Sequence, residues 1–134
     1  VKLTPNISQE EMYCKCKYPD CDMKKPLAVH KALAEVVQKC VDHFSAVTKQ
    51  KCRVAVNCVN RCKKHNKDVG GEDNSTHLIA LAMDHTIYID GKGRIEPRLV
   101  ADYYEKLYPN SCGIGRYNTF THFDIREKKA RWGK

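Results

Sequence analysis

Eight cysteines fall among 134 residues, at positions 14, 16, 21, 40, 52, 58, 62 and 112. A reducing cytosol does not accumulate that many thiols in a small chain unless they bind metal, and the spacing lacks the paired Cys-x-x-Cys repeats of zinc knuckles. The expectation is four disulfides and an oxidising compartment, with the pairing left open because spacing alone does not set it. Cys14, Cys16 and Cys21 share with Pro19 and Asp20 a tight loop that has too few apolar residues to hold itself. Residues 1–25 are therefore expected to be a cysteine-rich region pinned by disulfides to the main body. Sequons at Asn6 and Asn74, and Val1 in place of Met, agree with a secreted, extracellular chain whose leader has been removed, or with one that has been trimmed. Asn74 is expected to be unmodified, with Ser75 hydrogen-bonding locally to shape its loop.

At this length the chain is expected to be a single domain, 1–134, with a modest core. No stretch approaches the roughly 20 apolar residues of a membrane span. The net charge of +8 points to an anionic partner. Scattered lysines without interleaved aromatics argue against nucleic acid, and a monomer is expected.

Ser8-Gln9-Glu10-Glu11 reads as a capping box opening a short helix that carries Met12. Pro26 fits the first turn of a long helix to about Val47, with an apolar stripe through Val29, Leu33, Val36, Val37, Cys40, Val41 and Phe44. His30 and His43 are expected at its surface or boundary, and His65 as a structural or surface residue. Cys52 to Asn57 alternates and is β-rich, so it reads as a strand. Lys63 to Asn74 reads as a loop or short helix and turn. The apolar run ending at Ile89 is followed by a turn at Asp90 to Gly93, then by a helix from Glu96-Pro97 to Leu107 with Leu99, Val100, Tyr103 and Leu107 inward. Gly113 to Tyr117 and Phe120 to Arg126 complete a sheet, its glycines fitting a close backbone approach. The basic tail carries Trp132, expected to pack its ring on the body. The fold class is α+β, a small and mainly antiparallel sheet flanked by helices.

His77, just before the apolar run from Leu78 to Ile89, and Asp84 within it lie seven residues apart and read as half of a zinc site. Tetrahedral zinc places neighbouring ligand atoms only roughly 3.4 Å apart. Straight strand would separate the two residues by roughly 23 Å and helix by about 10 Å, so the segment must bend, with Ala80 and Ala82 tolerating the crowding. A third ligand must come from elsewhere. In Thr121 to Arg126, strand alternation puts His122, Asp124 and Arg126 on one face and Thr121, Phe123 and Ile125 toward the core.

Ser75-x-His77-x-x-Ala80-x-Ala82-x-Asp84 followed by His122-x-Asp124 resembles the paired signature of the zinc-dependent DD-peptidase family, which includes D-Ala-D-Ala carboxypeptidases and shares its fold with hedgehog signalling domains. Asn60 to Gly71, and Gly113-Ile114-Gly115-Arg116-Tyr117, look similar too. The resemblance runs from about Val54 to Trp132, with a weaker echo in the N-terminal cysteines. It implies a hedgehog/DD-peptidase-like fold, zinc on His77, Asp84 and His122, and a substrate-facing Arg61. Ala80 stands where a glycine is usual, and Cys58-Val59-Asn60 where Ser-Gly-Tyr usually precedes the arginine. Thr119 and Phe120 stand where branches of the family carry a catalytic Glu or His. Asp124 is then the nearest replacement base, or a partner that orients a zinc ligand. The implied activity is a secreted zinc metallopeptidase acting on D-Ala-D-Ala-type peptides of bacterial cell wall. The alternative is a zinc-retaining, non-catalytic binding module or toxin-like protein on the same fold.

Overall fold

A computed structural model describes residues 1–72, 77 and 82–133. The readings made for Asn74, Ser75 and Ala80 lie outside the described residues. No described helix is long and apolar enough to cross a membrane.

The chain opens with a hairpin that the sequence did not announce, β1 (Lys2–Thr4) and β2 (Ile7–Ser8), and continues into a 3-10 turn at Gln9–Met12. The capping box forms, with Glu11 Oε1 accepting from the Ser8 backbone N–H at 2.8 Å. The hairpin lies on helix α1 (Val29–Thr48), held by a reciprocal amide pair: Gln38 Oε1 accepts from Asn6 N–H at 2.9 Å and Gln38 Nε2 donates to Asn6 Oδ1 at 2.8 Å. Helix α1 begins after Pro26 rather than at it. His30 Nδ1 accepts the Leu27 N–H at 3.2 Å and closes a separate turn ahead of the helix. His30 is fully buried, correcting the surface or boundary expectation, and its Nε2–H donates to Asn60 Oδ1 at 3.1 Å. Burial accordingly lowers its basicity.

The main sheet runs in the order β3–β4–β7–β6–β8, with β5 (Gly93–Arg94) paired to β4. Its strands are β3 (Cys52–Cys58), β4 (Ala82–Ile89), β6 (Gly113–Arg116), β7 (Thr121–Asp124) and β8 (Ala130–Gly133). All pairs are antiparallel except β6 with β8, so the sheet is mixed at one edge. Strand β8 is the basic tail, read from sequence as a packed end rather than a strand. A short helix α2 (Lys63–Asp68) follows β3.

Helix α1 packs on β3 and β4, and helix α3 (Pro97–Leu107) on β6 and β7. Leu33, Val37, Val41 and Phe44 of α1 meet Val54, Val56 and Ile87 in one core. Burying each such side chain contributes roughly 1.5 to 3 kcal/mol before chain entropy is counted. Helix α3 is rotated from the expected phase. Pro97, Val100, Ala101 and Tyr104 are buried, whereas Leu99 and Leu107 are 40% and 44% exposed. The Tyr104 ring stacks on Phe123 at 4.4 Å, and the small Ala101 lets the helix sit close to the sheet.

The disulfide framework is a correction. All eight cysteines are described, and none is bonded to another. Cys40, Cys52 and Cys112 line the apolar core, with Cys40 and Cys52 near one another, while Cys14, Cys16, Cys21 and Cys62 gather as a group of four.

Candidate metal centre

Strand register builds the site. Asp84 on β4 is paired with Cys58 on β3 and with His122 on β7, which faces Gly115 on β6, which faces Trp132 on β8. Cross-strand partners project from the same face, so Asp84, His122 and Trp132 form one row across the sheet. His77 arrives from outside the sheet, its backbone carbonyl accepting the Arg61 N–H at 3.0 Å. Asp84 Oδ1 then lies 3.2 Å from His77 Nε2 and 2.9 Å from His122 Nδ1, and the two imidazoles stand edge to face at 5.2 Å. All three candidate ligand atoms lie within 4.8 Å of one another.

Each imidazole is held by its far nitrogen. His77 Nδ1–H donates to the Val59 carbonyl at 2.8 Å, leaving Nε2 toward Asp84. His122 Nε2–H donates to Asp124 Oδ2 at 2.7 Å, leaving Nδ1 toward Asp84. Asp124 is fully buried and gripped on both oxygens by Arg126, whose Nε and Nη2 donate at 2.6 Å each. A carboxylate or carbonyl behind each histidine fixes the tautomer that presents a lone pair to a cation. The donor set of two imidazoles and one carboxylate, with separations near those of a tetrahedral ion, fits a metal such as zinc.

The charges agree. Burial works against ionisation throughout, yet hydrogen bonds from His122 and His77 hold the Asp84 carboxyl well below the usual carboxylate range. The Asp84 carboxylate in turn overcomes burial to push His77 up to about 9. His122 is raised in the same way by Asp124 and Asp84, and Asp124 is lowered by His122 and Arg126. Without metal the cluster keeps protons that a divalent ion must displace, so metal uptake should release them.

The row opens into a cleft of about 730 Å³ lined by Arg61, His77, Asp84, Phe120, His122 and Trp132, with Glu72 at one edge and Tyr117 beside Phe120. Arg61 lines it from the segment that leaves β3. Asp124 lies behind His122, in the body of the sheet. Thr119 uses its carbonyl to accept from Thr86 Oγ1 at 2.9 Å, and Phe120 stacks on Tyr117 at 4.3 Å. The glycines of β6 are accounted for by what crosses them. A Cβ on Gly113 would lie 2.3 Å from Asp124 Oδ2, and one on Gly115 would lie 2.6 Å from Trp132 Cε2. Trp132 thereby reaches His122 at 4.8 Å and the Arg126 guanidinium at 5.5 Å.

Trp132, Tyr117, Phe120 and Glu72 were not singled out as site residues from sequence. The one available signal was the Gly-x-Gly of β6, which makes room for a large side chain from a neighbouring strand. His85, next to Asp84, points the other way: its Nδ1–H donates to the Met83 carbonyl at 3.0 Å and its Nε2 accepts from Tyr104 Oη at 2.7 Å.

The family model described as Peptidase M15 matches residues 5–124. No curated protein and no solved structure matches the chain.

Proposed function

Because the chain belongs to the Peptidase M15 family, zinc peptidases of the D-Ala-D-Ala carboxypeptidase kind, we propose that it is a zinc metallopeptidase acting on D-Ala-D-Ala-type peptides of the bacterial cell wall. One observation carries the reading: two imidazoles, each with its far nitrogen occupied, converge on the Asp84 carboxylate at the floor of an open cleft that also holds Arg61. A zinc ion held by His77 Nε2, Asp84 and His122 Nδ1 would supply Lewis acidity toward a scissile carbonyl and acidify an attacking water.

The remaining chemistry belongs to the chain's own side chains. Arg61 presents a planar fork suited to a substrate carboxylate, fixing the end of the peptide relative to the metal ligands. Trp132, Tyr117 and Phe120 give apolar surface for small D-Ala methyl groups. Asp124 acts as a positioning residue, since its two oxygens are committed to Arg126 and His122. Glu72, an exposed carboxylate on the cleft edge, takes the proton from the attacking water and returns it to the leaving amine. Such a polymer lies outside the cytoplasm, so the reading places the chain's action there, and its net charge of +8 suits an anionic wall.

A zinc-retaining binding module is the second reading, favoured by Thr119 and Phe120 at the places where relatives carry a base. Incubating zinc-loaded chain with a D-Ala-D-Ala-terminated peptide separates the two. Release of D-Ala, with Glu72→Gln losing about 10² to 10⁴ of turnover at full zinc occupancy, is the expected result. Peptide binding without release at saturating zinc would establish the binding module.

A further inference from the structure

Away from the cleft, a second set of ligand-capable side chains comes together. Cys14, Cys16 and Cys21 lie in the loop before α1, and Cys62 caps the start of α2, yet their four sulfurs all lie within 4.8 Å of one another. We infer that Cys14, Cys16, Cys21 and Cys62 form a metal site that takes a single zinc ion as a tetrahedral tetrathiolate centre.

The sulfur spacing distinguishes this from crosslinking. Cys16 Sγ and Cys62 Sγ are 3.7 Å apart. Zinc–sulfur bonds of about 2.3 Å at tetrahedral angles put neighbouring sulfurs roughly 3.8 Å apart, whereas a disulfide needs about 2.05 Å. Four sulfurs gathered round one point leave room for one ion rather than a polynuclear cluster.

The backbone is arranged to support thiolates. The Cys62 N–H donates to Cys14 Sγ at 3.4 Å and the His65 N–H to Cys62 Sγ at 3.5 Å. Hydrogen bonds of this kind strengthen when the acceptor is charged. The loop is folded back on itself, Cys21 N–H donating to the Tyr18 carbonyl at 3.2 Å and Cys14 N–H to the Met23 carbonyl at 3.0 Å. Outside it, Lys64 pairs with Asp20 at 2.8 Å and Tyr18 Oη donates to Asp68, which clamps the loop onto α2. The sequence carried only half of this pattern, because Cys62 is remote in sequence and the spacing Cys-x-Cys-x4-Cys has no Cys-x-x-Cys pair.

The position gives the site a consequence for the cleft. Cys62 follows Arg61, and the same short segment supplies the Val59 carbonyl that holds His77. Asn60 between them bonds the N-terminal region twice, its N–H donating to the Met12 carbonyl at 3.2 Å and its Nδ2 to the Met23 carbonyl at 3.1 Å. A zinc ion on the four thiolates would anchor this segment from behind, and with it Arg61 and the tautomer of His77.

Cobalt(II) substitution and metal counting on the full chain, prepared under reducing conditions, test the inference. Two metal ions per chain are expected, with the near-ultraviolet sulfur-to-cobalt charge-transfer absorption of a tetrathiolate. Cys16→Ser and Cys21→Ser should each remove one ion and that absorption, His122→Ala should remove the other ion and keep the absorption, and Cys112→Ser should keep both. If a cysteine variant fails to fold, the cobalt spectrum of the unaltered chain still decides. Absence of the charge-transfer band at full cobalt loading, or recovery of disulfides among these four cysteines by mass mapping of reductively prepared protein, would overturn the assignment.

Discussion

Asp84 and His85 are neighbours in β4, yet they serve opposite faces of the sheet. On the cleft face, Asp84 meets His77 and His122, and every imidazole has a carboxylate within hydrogen-bond reach. On the helix-covered face, His85 meets Tyr104 and a backbone carbonyl, and burial pushes it down to about 4. His85 and His122, on neighbouring strands, thus diverge in charge because the pleat sends them to opposite faces, and His77 joins His122 from outside the sheet. A histidine in a strand becomes a candidate ligand when its far nitrogen is committed to an acceptor and its near nitrogen shares an opening with a carboxylate. Burial without a carboxylate makes it a structural hydrogen-bonding group instead.

The largest break in this contrast is expected from His122→Ala, which should empty the cleft site of metal and abolish any hydrolysis while His85→Gln leaves the zinc affinity of that site nearly unchanged. Metal counting and D-Ala release read both. Asp124→Asn comes next. The amide keeps the shape but weakens the acceptor behind His122, so zinc affinity should fall by about 10- to 100-fold, with activity recovered in excess zinc. If that variant instead binds zinc normally and loses turnover, Asp124 acts in proton transfer and not in positioning. Tyr104→Phe tests the other face: it strips a partner from the buried His85 Nε2, at a cost of about 1 to 3 kcal/mol in denaturant unfolding, with no change in metal binding.

In pH dependence the two faces should carry opposite signs. His77 has a raised folded value of about 9 against an ordinary 6.5. Its contribution to the metal-free fold is therefore complete below about 6.5 and lost as pH rises through about 9, the same window in which zinc affinity should climb as the proton becomes easier to displace. His85, lowered to about 4 from 6.5, is bound by fewer protons in the folded than in the unfolded chain. Its contribution is complete above about 6.5 and lost as pH falls toward 4. Unfolding of His77→Gln and His85→Gln across pH separates the two slopes.

Much of the architecture was legible because it rests on local physics. The capping box at Ser8 and Glu11, the stripe of α1 and the alternation of β7 depend on residues a few positions apart. What was not legible depends on remote partners. Leu99 outranks Ala101 in apolarity, but the sheet needs a small residue there and Tyr104 needs Phe123, so α3 turns its leucines outward. Strand β8 has little strand character of its own and forms because β6 offers an edge and a Gly115 over which Trp132 fits. The eight cysteines suggested crosslinks because counting them cannot show that Cys62 joins the N-terminal three. In the cleft, the motif spacing located His77, Asp84 and His122, whereas Glu72 and Trp132 enter only through folding.

The central claim is that a metal ion in the cleft is bound through His77 Nε2, Asp84 Oδ1 and His122 Nδ1, with Asp124 holding the opposite nitrogen of His122. Anomalous diffraction at the zinc edge from crystals of the zinc-loaded chain tests it most directly. The account predicts a peak about 2.0 to 2.2 Å from those three atoms with the His122 Nε2–Asp124 contact retained. A cleft zinc bound through His122 Nε2, or zinc located in the crystal with none near Asp84, would contradict it.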